Sequence, residues 1–177
     1  MNPLIRLGTE TDLPALHALV HSAYRGDSAR GGWTHEADLL DGQRTDMAAL
    51  AAMLHDPAQR ILVAEEGGAL TGCVAITDRG DGVAYLGMLS TDPLLQGKGL
   101  GRQLIAAAEQ AAAGQFGATS MEMTVIRQRA ELIAYYERRG YALTGEERPF
   151  PLDDPRFGIP KRRDLSFVVL AKTISRA

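Results

Sequence analysis

Apolar residues along the chain switch between two periods, and the switches mark its elements. Leu4 to Leu7 is a short strand-like run. Leu13, Leu16, Leu19, Val20 and Tyr24 then recur at helical spacing, with Thr11 or Asp12 as the cap and Pro14 in the first turn. From Arg25 to Arg44 the pattern breaks into Gly, Ser and Asp around Trp33 and Leu39-Leu40, which predicts a long loop. A second helix runs from about Thr45 to His55 and ends at Asp56-Pro57. Arg60 to Glu66 and Ala69 to Thr77 are strand runs joined by Gly67-Gly68, which predicts a hairpin. Arg79-Gly80-Asp81-Gly82 turns the chain again into Val83 to Leu89, so three antiparallel strands follow one another.

Helical spacing resumes with Leu100, Leu104, Ala107, Ala108 and Ala111, giving a helix over Gln103 to Ala113 that stops at Gly114. Thr119 to Ile126 reads as a strand, and Glu131 to Arg139 as a helix ended by a left-handed Gly140. Tyr141 to Thr144 and Leu165 to Lys172 are two further strands, separated by the Pro-rich segment Pro149 to Pro160. No repeat or linker interrupts the order, which predicts an α/β fold with a mixed sheet in one domain over residues 1–177.

Composition narrows this picture only slightly. With 177 residues, 45% of them hydrophobic, the chain is long enough for one full-sized core. A net charge of -3 gives no basic field for nucleic acid. Cys73 is the one cysteine, so no internal disulfide forms, which suits a reducing compartment. No apolar run has the length of a signal core or a membrane span, and a cytoplasmic protein without a membrane partner is expected.

Chemistry enters at Thr91-Asp92-Pro93-Leu94-Leu95-Gln96-Gly97-Lys98-Gly99-Leu100-Gly101-Arg102. Three glycines at every second position, where a helix should begin, leave backbone N–H groups uncovered at the positive end of the helix dipole. That suits a phosphate or pyrophosphate. A P-loop needs Ser or Thr after its Lys, but Gly99 follows Lys98. A Rossmann fingerprint, and with it a nicotinamide-dependent oxidoreductase, needs a third glycine where Arg102 stands, and a βαβ unit rather than a meander. The pattern Q-x-x-G-x-G is met by Gln96, Gly99 and Gly101. A glycine-rich turn without a ligand is the bland alternative.

Together with the meander and Tyr135-Tyr136-Glu137-Arg138-Arg139-Gly140-Tyr141, this motif resembles that of the GNAT superfamily of acyl-CoA-dependent N-acyltransferases. The resemblance implies a mixed, mostly antiparallel sheet flanked by helices, with the coenzyme at the splay after the fourth strand. It implies acetyl-CoA as co-substrate and no metal. The pyrophosphate then falls on Gln96 and on Gly97, Lys98, Gly99, Leu100, Gly101 and Arg102. The pantetheine arm falls on Leu89, Ser90 and Thr91, where an amide-rich chain can extend a strand edge. Lys98 and Arg102 add charge near the phosphates or are simply solvated.

Acyl transfer to an amine needs a donor for the developing oxyanion and an acid for the departing thiolate. The resemblance implies the Leu89 backbone for the first and Tyr136 for the second. Tyr136 also has a structural reading: at the third position before a Gly140 cap, it could simply pack on Tyr141. Tyr135 reads as core, and Arg129 stands where the family commonly has Asn. No carboxylate or imidazole lies in Tyr85-Leu86-Gly87-Met88-Leu89, so the general base is sought in Glu36 or His35, or in a water chain. Glu36 reads more simply as a first-turn carboxylate of a helix capped by Thr34. Trp33 is a lid or a core plug.

The remaining features carry less. His17 and His21 share a helix face without a third ligand, and Cys73 lies in an apolar strand as a small core residue. Lys161-Arg162-Arg163 beside Asp164 reads as a solvated turn. The expected activity is transfer of acetyl from acetyl-CoA to a primary amine of a small molecule or peptide, by direct attack in a ternary complex. The alternative is a non-catalytic acyl-CoA-binding sensor or interaction module on the same fold. Arg25 to Asp46 and Pro149 to Arg163 should shape the acceptor site, and Phe150, Phe157 and Ile159 could make a homodimer contact.

Overall fold

The computed structural model describes residues 2–24, 40–41, 45–95, 97–153 and 159–176. In chain order they form β1 (Leu4–Leu7), α1 (Leu13–Tyr24), β2 (Leu40–Asp41), α2 (Met47–His55), β3 (Gln59–Glu66), β4 (Ala69–Gly80) and β5 (Val83–Thr91). There follow α3 (Leu100–Phe116), β6 (Ser120–Ile126), α4 (Ala130–Glu137), β7 (Ala142–Pro149), β8 (Ile159–Pro160) and β9 (Ser166–Thr173). Seven strands make one mixed sheet in the order β1-β3-β4-β5-β6-β9-β7. Only β5 and β6 pair in parallel; the other neighbours are antiparallel.

The central strands are buried on both faces, which is why their sequences read as continuous apolar runs rather than alternating ones. Ile61 and Val63 of β3, with Cys73 and Ala75 of β4, face a core completed by Leu16, Leu19 and Val20 of α1 and Leu50 of α2. Leu62, Ala64, Val74 and Ile76 face the other way, onto Leu100, Leu104, Ile105 and Ala108 of α3 and Tyr136 of α4. Gly72 of β4 lets α3 lie close: a Cβ there would come within 2.8 Å of Leu104 and 3.1 Å of the Ser90 carbonyl. Cys73 is buried, as its apolar strand implied.

Several boundaries differ from the sequence expectation for local reasons. A 3-10 turn, Glu10–Asp12, precedes α1, so the cap is Thr9 rather than Thr11 or Asp12. The Asp12 carboxylate accepts the Thr9 backbone N–H at 2.8 Å and is held by Arg6, which also binds Glu65 at 2.8 Å. Helix α3 runs through Gly114, whose alanine-rich neighbours sustain it, and ends at Gly117 with φ 66°. The two segments without readable motifs meet: β2, from the first, pairs antiparallel with β8, from the second. That extra strand makes the predicted fourth strand β5 here. Phe150 is buried with Ile126 and Leu165, its ring 5.1 Å from that of Phe167, so it is not available for a dimer contact. Phe157 lies outside the described residues.

Strand β5 carries the irregularity that positions the site. Its register with β4 slips between Cys73↔Ser90 and Ala75↔Gly87, and Met88 there adopts φ 55°. Such a bulge swaps faces. Ala84 and Leu86 point into the core under α3, whereas Met88, at the same parity, points into the core under α1. On its other side the ladder to β6 stops at Tyr85↔Glu122. Just beyond it, the hydroxyls of Tyr85 and Thr124 are 2.5 Å apart across the vertex where the strands separate.

Candidate active site

The segment after β5 makes a short 3-10 turn, Pro93–Leu95, with the Asp92 side chain accepting the Leu94 N–H at 2.9 Å. Gly97 (φ 89°) and Gly99 (φ 79°) then take left-handed backbone that only glycine adopts easily, and Gly99 is the N-cap of α3. No side chain caps this helix, and its first internal bond is donated by Gln103 to the Gly99 carbonyl at 3.1 Å. The N–H groups of Leu100, Gly101 and Arg102 therefore have no acceptor within the helix, and the dipole adds positive potential at the same place.

These amides open into a cleft of about 610 Å³, within the ordinary size range of ligand sites. Leu89, Ser90 and Thr91 line it from the separating edge of β5. Gly97, Lys98, Gly99, Leu100, Gly101 and Arg102 line it from the loop and α3, and Tyr136 from α4. The structure thus brings together every predicted site residue it describes. Gln96, Glu36, His35 and Trp33 lie outside the described residues.

Tyr136 is 5% exposed and sits edge-to-face between Tyr135 (5.5 Å) and Tyr141 (6.1 Å). Its carbonyl accepts the Tyr141 N–H at 3.2 Å while Gly140, at φ 95°, donates to the Glu137 carbonyl at 3.0 Å. That is the paired bonding of a Schellman cap, so the structural reading of Tyr136 holds. Tyr141 is committed elsewhere. Its hydroxyl donates to Glu109 at 2.9 Å, and burial, reinforced by the Glu109 charge, raises its pKa well above the usual phenol value. Lys172 completes this cluster at 3.0 Å from Glu109, tying β9 to α3.

The cleft also includes residues that the sequence reading missed. Arg129, Leu132, Tyr135, Arg138 and Arg139 line it from α4 and its flanks. Tyr135 had read as core; it does pack, half-buried, against the α3-side core, and it also reaches the cleft, its hydroxyl 2.6 Å from where a Cβ on Gly101 would be and Arg139 stacked on its ring at 4.1 Å. Spacing held the available signal, since residues 129, 132, 136 and 139 recur every three or four positions on one helical face. Among the described lining residues are five cations and no Asp, Glu or His.

This arrangement defines the class. The family model described as acetyltransferase (GNAT) family matches residues 16–141, and the chain belongs to that family. The family uses acetyl-CoA as its acyl donor. Solved structures agree on the fold. The ribosomal-protein-S18-alanine N-acetyltransferase of Escherichia coli superposes with TM-score 0.71 at 18% identity, covering 99% of this chain and 96% of that one. Salmonella typhimurium yncA, solved with its cofactor acetyl-CoA, gives TM-score 0.69 at 20% identity over 100% and 96%. The spermidine/spermine N-acetyltransferase of Vibrio cholerae gives 0.68 at 18% identity over 97% and 92%. No curated protein matches the chain significantly by sequence.

Proposed function

We propose that this protein is an N-acetyltransferase moving acetyl from acetyl-CoA to a primary amine of a small molecule or peptide, by direct attack in a ternary complex. One observation carries the reading: the uncapped α3 N-terminus, the separating edge of β5 and Tyr136 all open into a single cleft. The pyrophosphate is assigned to the loop amides from Gly97 to Arg102, with Gln96 beside them, and the pantetheine arm to Leu89, Ser90 and Thr91. Ala23, Leu95 and Leu132 supply apolar wall.

In the proposed reaction the neutral amine attacks the thioester carbonyl, with the Leu89 backbone N–H as donor to the oxyanion. The carbon–sulfur bond breaks, and Tyr136 protonates the departing thiolate. The amine's surplus proton leaves to a base, for which Glu36 is the candidate. The acceptor side is assigned to the two segments that β2 and β8 join.

Thiol release from acetyl-CoA over a panel of primary amines tests this, with turnover of at least one amine expected. Binding of acetyl-CoA without turnover of any amine would support the second reading, a coenzyme-binding sensor, which the lack of a described carboxylate or imidazole in the cleft lining favours. Gly99→Glu should abolish CoA binding by occlusion and repulsion, and retained binding would overturn the site.

A further inference from the structure

The seam between β5 and β6 is closed at its vertex from both faces. Toward α3, Leu86 and Met123 are buried in the core. Side chains alternate along a strand, so Tyr85 and Thr124 project from the opposite face, where their hydroxyls meet 2.5 Å apart. The Tyr85 ring reaches Thr124 by lying along its own strand over Gly87: a Cβ there would come within 3.2 Å of the ring's Cε1. The Arg79 guanidinium packs on the ring, 4.6 Å from its centroid. Tyr85 and Thr124 are only half-buried, and Tyr85 belongs to none of the hydrophobic clusters among the described residues. This is a large, anchored aromatic that the core does not use.

The coenzyme reading gives the seam a direction. The pyrophosphate is assigned to the loop that follows Thr91. A pantetheine arm along Thr91, Ser90 and Leu89 therefore runs back down β5, and its thioester end points at this vertex. Gly87 lies two residues beyond Leu89, at most about 7 Å along the strand. The bulge at Met88 bends the strand and shortens that span. An acetyl group ends within it, and each further methylene brings the acyl tip nearer the ring.

We propose that Tyr85, held over Gly87 by Thr124, sets the acyl-chain length, so that the protein accepts acetyl-CoA and rejects butyryl-CoA and longer acyl donors. This inference rests on the coenzyme reading of the cleft and adds a specificity residue to it. A longer chain must displace the ring from its anchor or press methylenes onto two hydroxyl oxygens. Overpacking opposes the first and the burial of polar atoms opposes the second.

Titration calorimetry with CoA, acetyl-CoA and butyryl-CoA, on the wild type, Tyr85→Ala and Thr124→Ala, tests it. Free CoA carries no acyl group and is the reference within each protein; a variant that binds it is folded. The wild type should bind butyryl-CoA about 10-fold or more weaker than acetyl-CoA, an amount typical of overpacking. In Tyr85→Ala the space over Gly87 opens, and the preference should fall to about twofold or less. Thr124→Ala frees the ring from β6 and should lose part of the preference, which keeps the test decisive if Tyr85→Ala does not fold. Equal binding of the two acyl donors by the wild type, or an undiminished preference in the variants that fold, would overturn the assignment and leave the ring as a cover for Gly87. If free CoA does not bind the wild type, the coenzyme reading fails and this inference with it.

Discussion

Tyr136→Phe keeps the ring that Tyr135 and Tyr141 pack against, keeps the carbonyl of the helix cap, and removes only the hydroxyl. If that hydroxyl protonates the thiolate, kcat should fall by about 100-fold or more while CoA affinity and Tm stay close to wild type. Steady-state rates beside calorimetric CoA binding decide it, and an unchanged rate removes the acid role. Gly101 offers a second residue-level test. It is helical without positive φ, so alanine is opposed there only by the Tyr135 hydroxyl at 2.6 Å. Gly101→Ala should displace Tyr135 and weaken CoA binding. Adding Tyr135→Phe leaves 3.6 Å to the nearest ring carbon and should restore much of the loss.

Among the elements, α3 and β4 set where the loop amides point. Gly72 is a point of close approach between them, and a side chain there would meet Leu104, Leu100 and the Ser90 carbonyl together. Gly72→Val should therefore destabilise by about 1–3 kcal/mol through overpacking and weaken CoA binding as α3 shifts. Thermal melts with and without CoA read both effects. The same elements show what the sequence could reveal. The α3 face and the β3 and β4 runs were legible because burial imposes a period or an apolar run on them, and the Gly140 cap because left-handed backbone selects glycine. The Met88 bulge was not legible, since methionine carries no signal for positive φ and only pairing with β4 reveals the slip. Nor was the cleft lining of α4, because its spacing was consistent with a core face. Strands β2 and β8 escaped for a third reason: two-residue strands have no period to detect.

For the whole molecule, several carboxylates are held by arginines, among them Asp12 and Glu65 by Arg6, and Glu122 and Glu146 by Arg148. The pairs bear on acid stability. The hydrogen bond from Arg6, followed by that from the Thr9 backbone, holds the Asp12 carboxylate at a pKa of about 2. An unfolded Asp titrates near 3.9. The group thus contributes stability above about pH 4 that is lost as pH falls toward 2, on the order of 1 kcal/mol after screening. Denaturant melts from pH 5 to pH 2 should show this slope, and Asp12→Asn should flatten it. An identical slope in the variant would show that other carboxylates govern the acid limb.

The stop in the ladder between β5 and β6 has one more consequence. A sheet with an open seam is an unfinished object, and a ligand whose arm carries amides can finish it, lending the protein a strand for the length of one turnover. Deuterium uptake at backbone amides 87–91 should then slow when CoA binds, more than at the distant β1 edge. The fold would be at its most complete only while the reactant is in place, and would loosen at that seam each time the product leaves.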